Sequence, residues 1–217
     1  MSSREAILGK LRERSEAPFP AAAPPQEHRH VVPLADTSAE GLYGRFVQEA
    51  TKAVCIIHEA ESSEAAIAAV LQIVGEDTAV SSWSPEHIPL PGLAEALDKA
   101  HIARVGQDAS VRVGLTGVDA ALAATGSLVI LSGNGRFRAS SLLPPVHIAV
   151  LTASQIVPDL ESWCAAQAWT AGLEQTRQHS NIAIITGPSR TADIAMQLVL
   201  GMHGPGELHL VLLTGSG

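Results

Sequence analysis

Aromatic side chains are scarce in this chain, with three Phe, three Trp and one Tyr among 217 residues. That leaves little for the base-stacking platform of a protein that binds single-stranded nucleic acid. Basic charge is short as well: 14 Lys and Arg stand against 22 Asp and Glu, a net charge of −8. No stretch concentrates enough base to hold a polyanion by counterion release, so both shortages argue against nucleic acid as a partner. There are two cysteines, Cys55 and Cys164, far apart and without C-x-x-C spacing. They cannot supply the four thiolates an iron–sulfur cluster needs, and their apolar contexts read as buried free thiols in a reducing compartment. No run approaches the ~20 apolar residues of a membrane span, and the N-terminus carries acids instead of an apolar h-region. The expectation is a soluble, cytoplasmic protein with no membrane span.

Signature motifs are missing too. The Gly-Lys pair is Gly9-Lys10, and a P-loop would need glycine where Arg4 stands. In "GNGRFR" (133–138) Arg138 occupies the third glycine position of a dinucleotide fingerprint, where helix–strand packing has no room for it. "GPSRT" departs from a nucleophile elbow at Thr191, where the final glycine should be. The nine histidines form no H-E-x-x-H, and His28 and His30 make an H-x-H in a stretch too proline-rich for a rigid metal site. His147, His203 and His209, in or beside apolar segments, read as histidines hydrogen-bonded within the fold. No metal site and no cofactor is expected.

What is present is a large apolar fraction, 46% of the residues, in a chain long enough to bury a sizeable core. Residues 2–14 read as a short amphipathic helix, with capping-box spacing between Ser2 and Glu5 and a face of Ile7, Leu8 and Leu11. Residues 15–33 hold five of the 13 prolines, a linker composition. The chain therefore divides into an N-terminal helix and linker, 1–35, and a folded domain, 36–217. The helix either packs on its own domain, docks on a partner or meets a second copy in a homo-oligomer.

From Asp36 the pattern is regular. A capping box of Thr37 and Glu40 opens a helix with Leu42, Phe46, Val47 and Ala50 on one face. Strands are expected at 53–58, 78–83, 101–106, 127–132, 146–152, 181–186 and 207–213. Helices are expected at 62–74 (closed by Gly75), 92–100, 117–125, 158–171 and 190–201. Short, continuously apolar, β-branched runs alternating with helices specify an α/β fold, a largely parallel sheet of about seven strands covered by helices.

Two turns carry more polar groups than a connection needs. In "TGPSRTAD" Gly187 and Pro188 break a strand, and Ser189 can cap the next helix. The free N–H groups behind Ser189 and the Arg190 charge suit a carboxylate or phosphate. In "AATGSLVIL" Gly126 allows close backbone approach between the hydroxyls of Thr125 and Ser127. The loop at 132–141 could bring Arg136 or Arg138 and Ser140 over the same edge. In open α/β sheets ligands collect outside the carboxyl ends of strands, where both turns are expected. The ligand-binding set is thus Thr125, Gly126, Ser127, Arg138, Gly187, Ser189, Arg190 and Thr191, around a small anionic ligand. The competing reading makes Ser189 a plain cap and pairs Arg190 with Asp193 at i, i+3.

"ATGSLVIL", "SLLPPVHIAVL", "ITGPSRTADI" and "LVLGMHGPGELHLVLL" resemble the lactate-utilisation protein C family, the stand-alone form of the LUD domain, from about residue 36 onward. The resemblance implies a fold related to the ribose-phosphate isomerase and CoA-transferase group. It also implies a role with iron–sulfur partner subunits in oxidising L-lactate to pyruvate, with the redox centres in the partners. Family members often carry an acid where Ala124 stands, which weakens any scheme using that carboxylate as a base. Two other functions stay open: an independent enzyme acting on a phosphorylated sugar, folate or acyl-CoA derivative, and a regulatory or scaffold protein.

Overall fold

The structure is a computed structural model that describes residues 3–13, 32–108, 110–170, 179–192 and 198–215. Its helices are α1 (Ser3–Glu13), α2 (Ala39–Lys52), α3 (Ser63–Val74), α4 (Leu93–Lys99), α5 (Ala139–Leu142) and α6 (Leu160–Thr170). Its strands are β1 (Ile56–Ala60), β2 (Ala79–Ser82), β3 (Ala103–Val105), β4 (Val113–Gly117), β5 (Ala120–Leu122) and β6 (Ser127–Ser132), followed by β7 (Val146–Thr152), β8 (Ile156–Val157), β9 (Asn181–Ile185), β10 (Arg190–Ala192), β11 (Leu198–Leu200) and β12 (Glu207–Leu213). The linker expected at 15–33 falls almost wholly outside the described residues. Among those residues no helix is long and apolar enough to cross a membrane.

The fold is α/β. A six-stranded sheet runs β1-β12-β7-β4-β2-β3 with every neighbouring pair parallel. Its interior strands β7 and β12 are the continuous apolar runs, buried on both faces as a covered parallel sheet requires. Helix α2 contributes Phe46 and Ala50, and α3 contributes Ala66, Val70 and Val74, to the same core. A second sheet, β8-β5-β6-β9, is mixed, and β10 and β11 form a separate antiparallel pair.

Several expectations are corrected. The parallel sheet has six strands, and β6 and β9, expected within it, lie in the second sheet. Its β4 had no sequence signal because two glycines interrupt it. Both are forced: a Cβ on Gly114 would lie 1.8 Å from the Ser140 carbonyl oxygen, and one on Gly117 2.2 Å from that of His87. The helix expected at 117–125 is instead β5. Ala121 and Ala123 face the main core, whereas Ala120 and Leu122 face a smaller one with Val129, Leu131 and Trp163. Burial on two faces at period two overrides alanine's helix propensity. The helix expected at 190–201 is likewise absent from its described part, where Arg190 pairs with Leu200, Thr191 with Val199 and Ala192 with Leu198. The N-cap of α2 is Ser38, one residue beyond Thr37, with its side chain accepting from Gly41 N. Cys55 is buried as expected, but Cys164 is exposed, because α6 turns Trp163 inward instead.

Candidate functional site

Antiparallel pairing of β6 with β9, in register Leu128 to Ile185, brings the residues before one strand against those after the other. The two polar turns therefore meet. Thr125 Oγ1 lies 2.7 Å from Ser127 Oγ, which lies 2.6 Å from Thr186 Oγ1. Ser127 is buried, so the hydroxyls of the two exposed threonines satisfy a group that water reaches poorly. Both turns press on the last turn of α2. Gly126 has φ +66° and a Cβ there would stand 2.2 Å from Ala50 N; Gly187 has φ +91° and its Cβ would stand 2.3 Å from the Ala53 oxygen. Glycine is required twice, by conformation and by space.

Arg190 acts on the same helix end. Its Nη2 donates to the Ala53 carbonyl, the C-cap residue of α2, where a cation complements the helix dipole. Its charge also reaches the Cys55 thiol. Burial pushes that thiol up to about 11, with Arg190 opposing the shift, so Cys55 is protonated at neutral pH. Thr191 is half-buried within β10. The pairing of Arg190 with Asp193 lies outside the described residues.

Ser189 faces another way. Its N–H donates to the Pro205 carbonyl at 2.8 Å, its carbonyl accepts from Gly201 N at 2.9 Å, and its Oγ is 3.4 Å from His203 N. It is therefore a tie to the 201–206 loop and caps no helix. That loop leads into β12, and Gly206 N donates to the Pro145 carbonyl just before β7, at 2.8 Å. The Ser189 turn thus sits at the amino ends of β7 and β12, opposite to the carboxyl-end placement expected, because β9 belongs to a sheet running its own way.

Beside Ser189 is a cavity of about 210 Å³, bounded by Leu142, His147, Ile184, His203 and Leu208 among others. His147 is 1% exposed. Its Nε2 lies 2.9 Å from Thr116 Oγ1, while Nδ1 is buried with no partner. Burial pushes its pKa down to about 3, so the ring is neutral near pH 7. His209 is hydrogen-bonded within the fold as expected, 2.9 Å from His58 and 3.2 Å from Glu207, whereas His203 is exposed. Among the described residues no group of three or more His, Cys, Asp or Glu could hold a metal ion.

The 132–141 loop is engaged elsewhere. Arg136 Nη1 donates to Asp119 Oδ1 at 2.8 Å and its guanidinium lies 4.9 Å from the Trp83 ring centre. The other Asp119 oxygen accepts from Leu131 N at 2.7 Å. Ser140 is buried, its Oγ 2.9 Å from Ser81 Oγ. Arg138 is exposed at the start of α5 and is not among the residues lining the cavity. Sequence reasoning missed Asp119, hidden in the mistaken helix, and Thr186, whose place directly before Gly187 was a usable signal.

Comparison with known proteins gives a consistent picture. The LUD domain family model matches residues 43–213. A lactate utilization protein C of an Exiguobacterium species is 28% identical over 98% of this chain and 96% of its own length. Its namesake in Halalkalibacterium halodurans is 43% identical over 93 residues, 43% of this chain and 40% of that protein. A Geobacillus namesake is 42% identical over a stretch covering 42% of its length, so these stronger matches each span less than half of the relative. The crystal structure of a DUF162 family protein from Deinococcus radiodurans superposes with a TM-score of 0.59 at 21% identity, covering 83% of this chain and 100% of that one, a likeness of fold. Since the family model runs from α2 through both turns to the end of β12, the chain belongs to the LUD domain family.

Proposed function

We propose that this chain serves lactate utilisation as a cytoplasmic subunit that works with iron–sulfur partner proteins in oxidising L-lactate to pyruvate. L-lactate gives up two electrons and two protons in that reaction, and in this reading the electrons pass to the partners' clusters. The chain itself holds no redox cofactor and contributes a binding surface and a ligand site. The observation that carries the reading is the alignment with the Exiguobacterium lactate utilization protein C along nearly the whole of both chains.

The ligand is a small anion held at the Gly187–Thr191 turn, with the Ser189 hydroxyl, which itself accepts from the His203 N–H, as the polar contact. Thr125, Gly126 and Ser127 brace that turn through Thr186, and Gly187 and Arg190 fix it to α2. Deleting the gene should abolish growth on L-lactate and leave growth on glucose intact. Normal growth on L-lactate would contradict the proposal.

A further inference from the structure

Two apolar surfaces of this chain lie open. Eight large hydrophobic side chains are exposed among the described residues, and three of them, Leu143, Leu200 and Met202, line one groove of about 770 Å³ at the amino ends of β7 and β12. Single exposed hydrophobics are ordinary, but three gathered in one concavity mark a place where another molecule sits. Gly201 and Gly204 add no side chains to the lining, so a helix can come close to the backbone there. A fourth exposed side chain is Ile7, 59% exposed on α1.

Helix α1 needs a partner. With 11 residues it is shorter than the ~12–15 at which an isolated helix holds together in water, so docking of its apolar stripe, Ile7, Leu8 and Leu11, must stabilise it. Its own domain does not supply that, because residues 3–7 and Lys10 are exposed while the groove stays open. Residues 14–31 join α1 to the domain, and eighteen residues can span at most about 60 Å. A domain of this size is about 40 Å across, so α1 reaches over a neighbouring copy. The tether leaves the domain ahead of α2, whose last turn hands over to β1 at the amino edge of the sheet, so it starts about one helix length, ~21 Å, from that edge.

We propose that α1 seats its apolar stripe in this groove on a second copy of the chain, which returns its own α1 to the first, giving a two-fold dimer by exchange of helices. Each chain carries one helix and one groove, so the exchange covers both surfaces of both copies and leaves no open end. Charge agrees with this. Helix α1 has three basic and two acidic residues in a chain of net charge −8. Arg4, three residues before Ile7 and four before Leu8, stands on the apolar stripe, where it can meet Glu207 of the groove, whose side chain is 58% exposed. The groove shares the 201–206 loop with the Ser189 turn, so the seated helix borders the candidate site.

The test is analytical ultracentrifugation of the full chain over a concentration series. The wild type should sediment as a monomer–dimer equilibrium. Ile7→Glu, which spoils the helix, and Met202→Glu, which spoils the groove, should each raise the dimer dissociation constant at least about tenfold. Both side chains are more than half exposed, so neither change disturbs the core. Mixed in equal amounts, the two variants should associate more tightly than either does alone, because the intact helix of one chain meets the intact groove of the other. The proposal is overturned if the wild type is a monomer at every concentration, the outcome for a helix seated on its own domain or kept for a different partner. It is equally overturned if either variant dimerises like the wild type, or if mixing restores nothing.

Discussion

The guanidinium of Arg190 donates to the main-chain carbonyl of Ala53, so a residue from one polar turn closes a helix 137 positions earlier in the chain. Arg190 is therefore a structural cation as well as a neighbour of the candidate site. Arg190→Ala should cost about 1 kcal/mol, the worth of a partly exposed charge-assisted bond with the helix-end charge. Arg190→Lys should recover part of it. Denaturant unfolding of the two variants checks this, and an unchanged midpoint for Arg190→Ala would show that the contact contributes nothing.

Gly126→Ala and Gly187→Ala should each destabilise by at least about 2 kcal/mol, since each adds backbone strain to a clash with main-chain atoms of α2. Gly204→Ala is the control and should stay within about 0.5 kcal/mol, because its Cβ meets ordinary contacts. Thermal melts of the three proteins compare them directly.

The hydroxyl chain should behave as a unit. Ser127→Ala removes the central, buried member and both of its bonds, while the exposed Thr125 and Thr186 can turn to water, a loss of about 1 kcal/mol. Thr186→Val should cost less, and the double variant should cost less than the sum of the two. Additive losses in that cycle would mean that the hydroxyls act independently.

His147 sets a pH dependence. Its folded pKa of about 3 lies below the ordinary 6.5, so between those values the unfolded chain binds a proton that the folded chain refuses. Stability from this group is complete above the unfolded pKa and falls as the pH drops through the window, by up to about 1.4 kcal/mol per pH unit. The unfolding free energy of the wild type should fall relative to that of His147→Phe as the pH is lowered from about 6 to about 5. A constant difference between them would show that His147 is protonated in the folded protein as readily as in the unfolded one.

The parallel core was legible in the sequence because β7 and β12 are unbroken apolar runs, and α3 because Ser62 and Gly75 bracket it. What was not legible depended on contacts between distant residues. Ala120 to Leu122 looks helical until β6 is laid beside it, and the glycines of β4 make sense only against Ser140 and His87. The polar crowding at Thr125–Ser127 and Gly187–Thr191 marked two turns that do meet. Their placement at the amino ends of β7 and β12, and the use of Arg190 on α2, could not be read locally. The free nitrogen of His147 was equally hidden, since only the fold decides that Thr116 takes one nitrogen and nothing takes the other.

The most direct measurement of the central claim is reconstitution of L-lactate oxidation from purified proteins, followed by reduction of an acceptor dye. The account predicts no L-lactate-dependent reduction by this chain alone, little by the iron–sulfur proteins alone, and turnover to pyruvate when they are combined. Turnover by the isolated chain, or undiminished turnover by the iron–sulfur proteins in its absence, would contradict it.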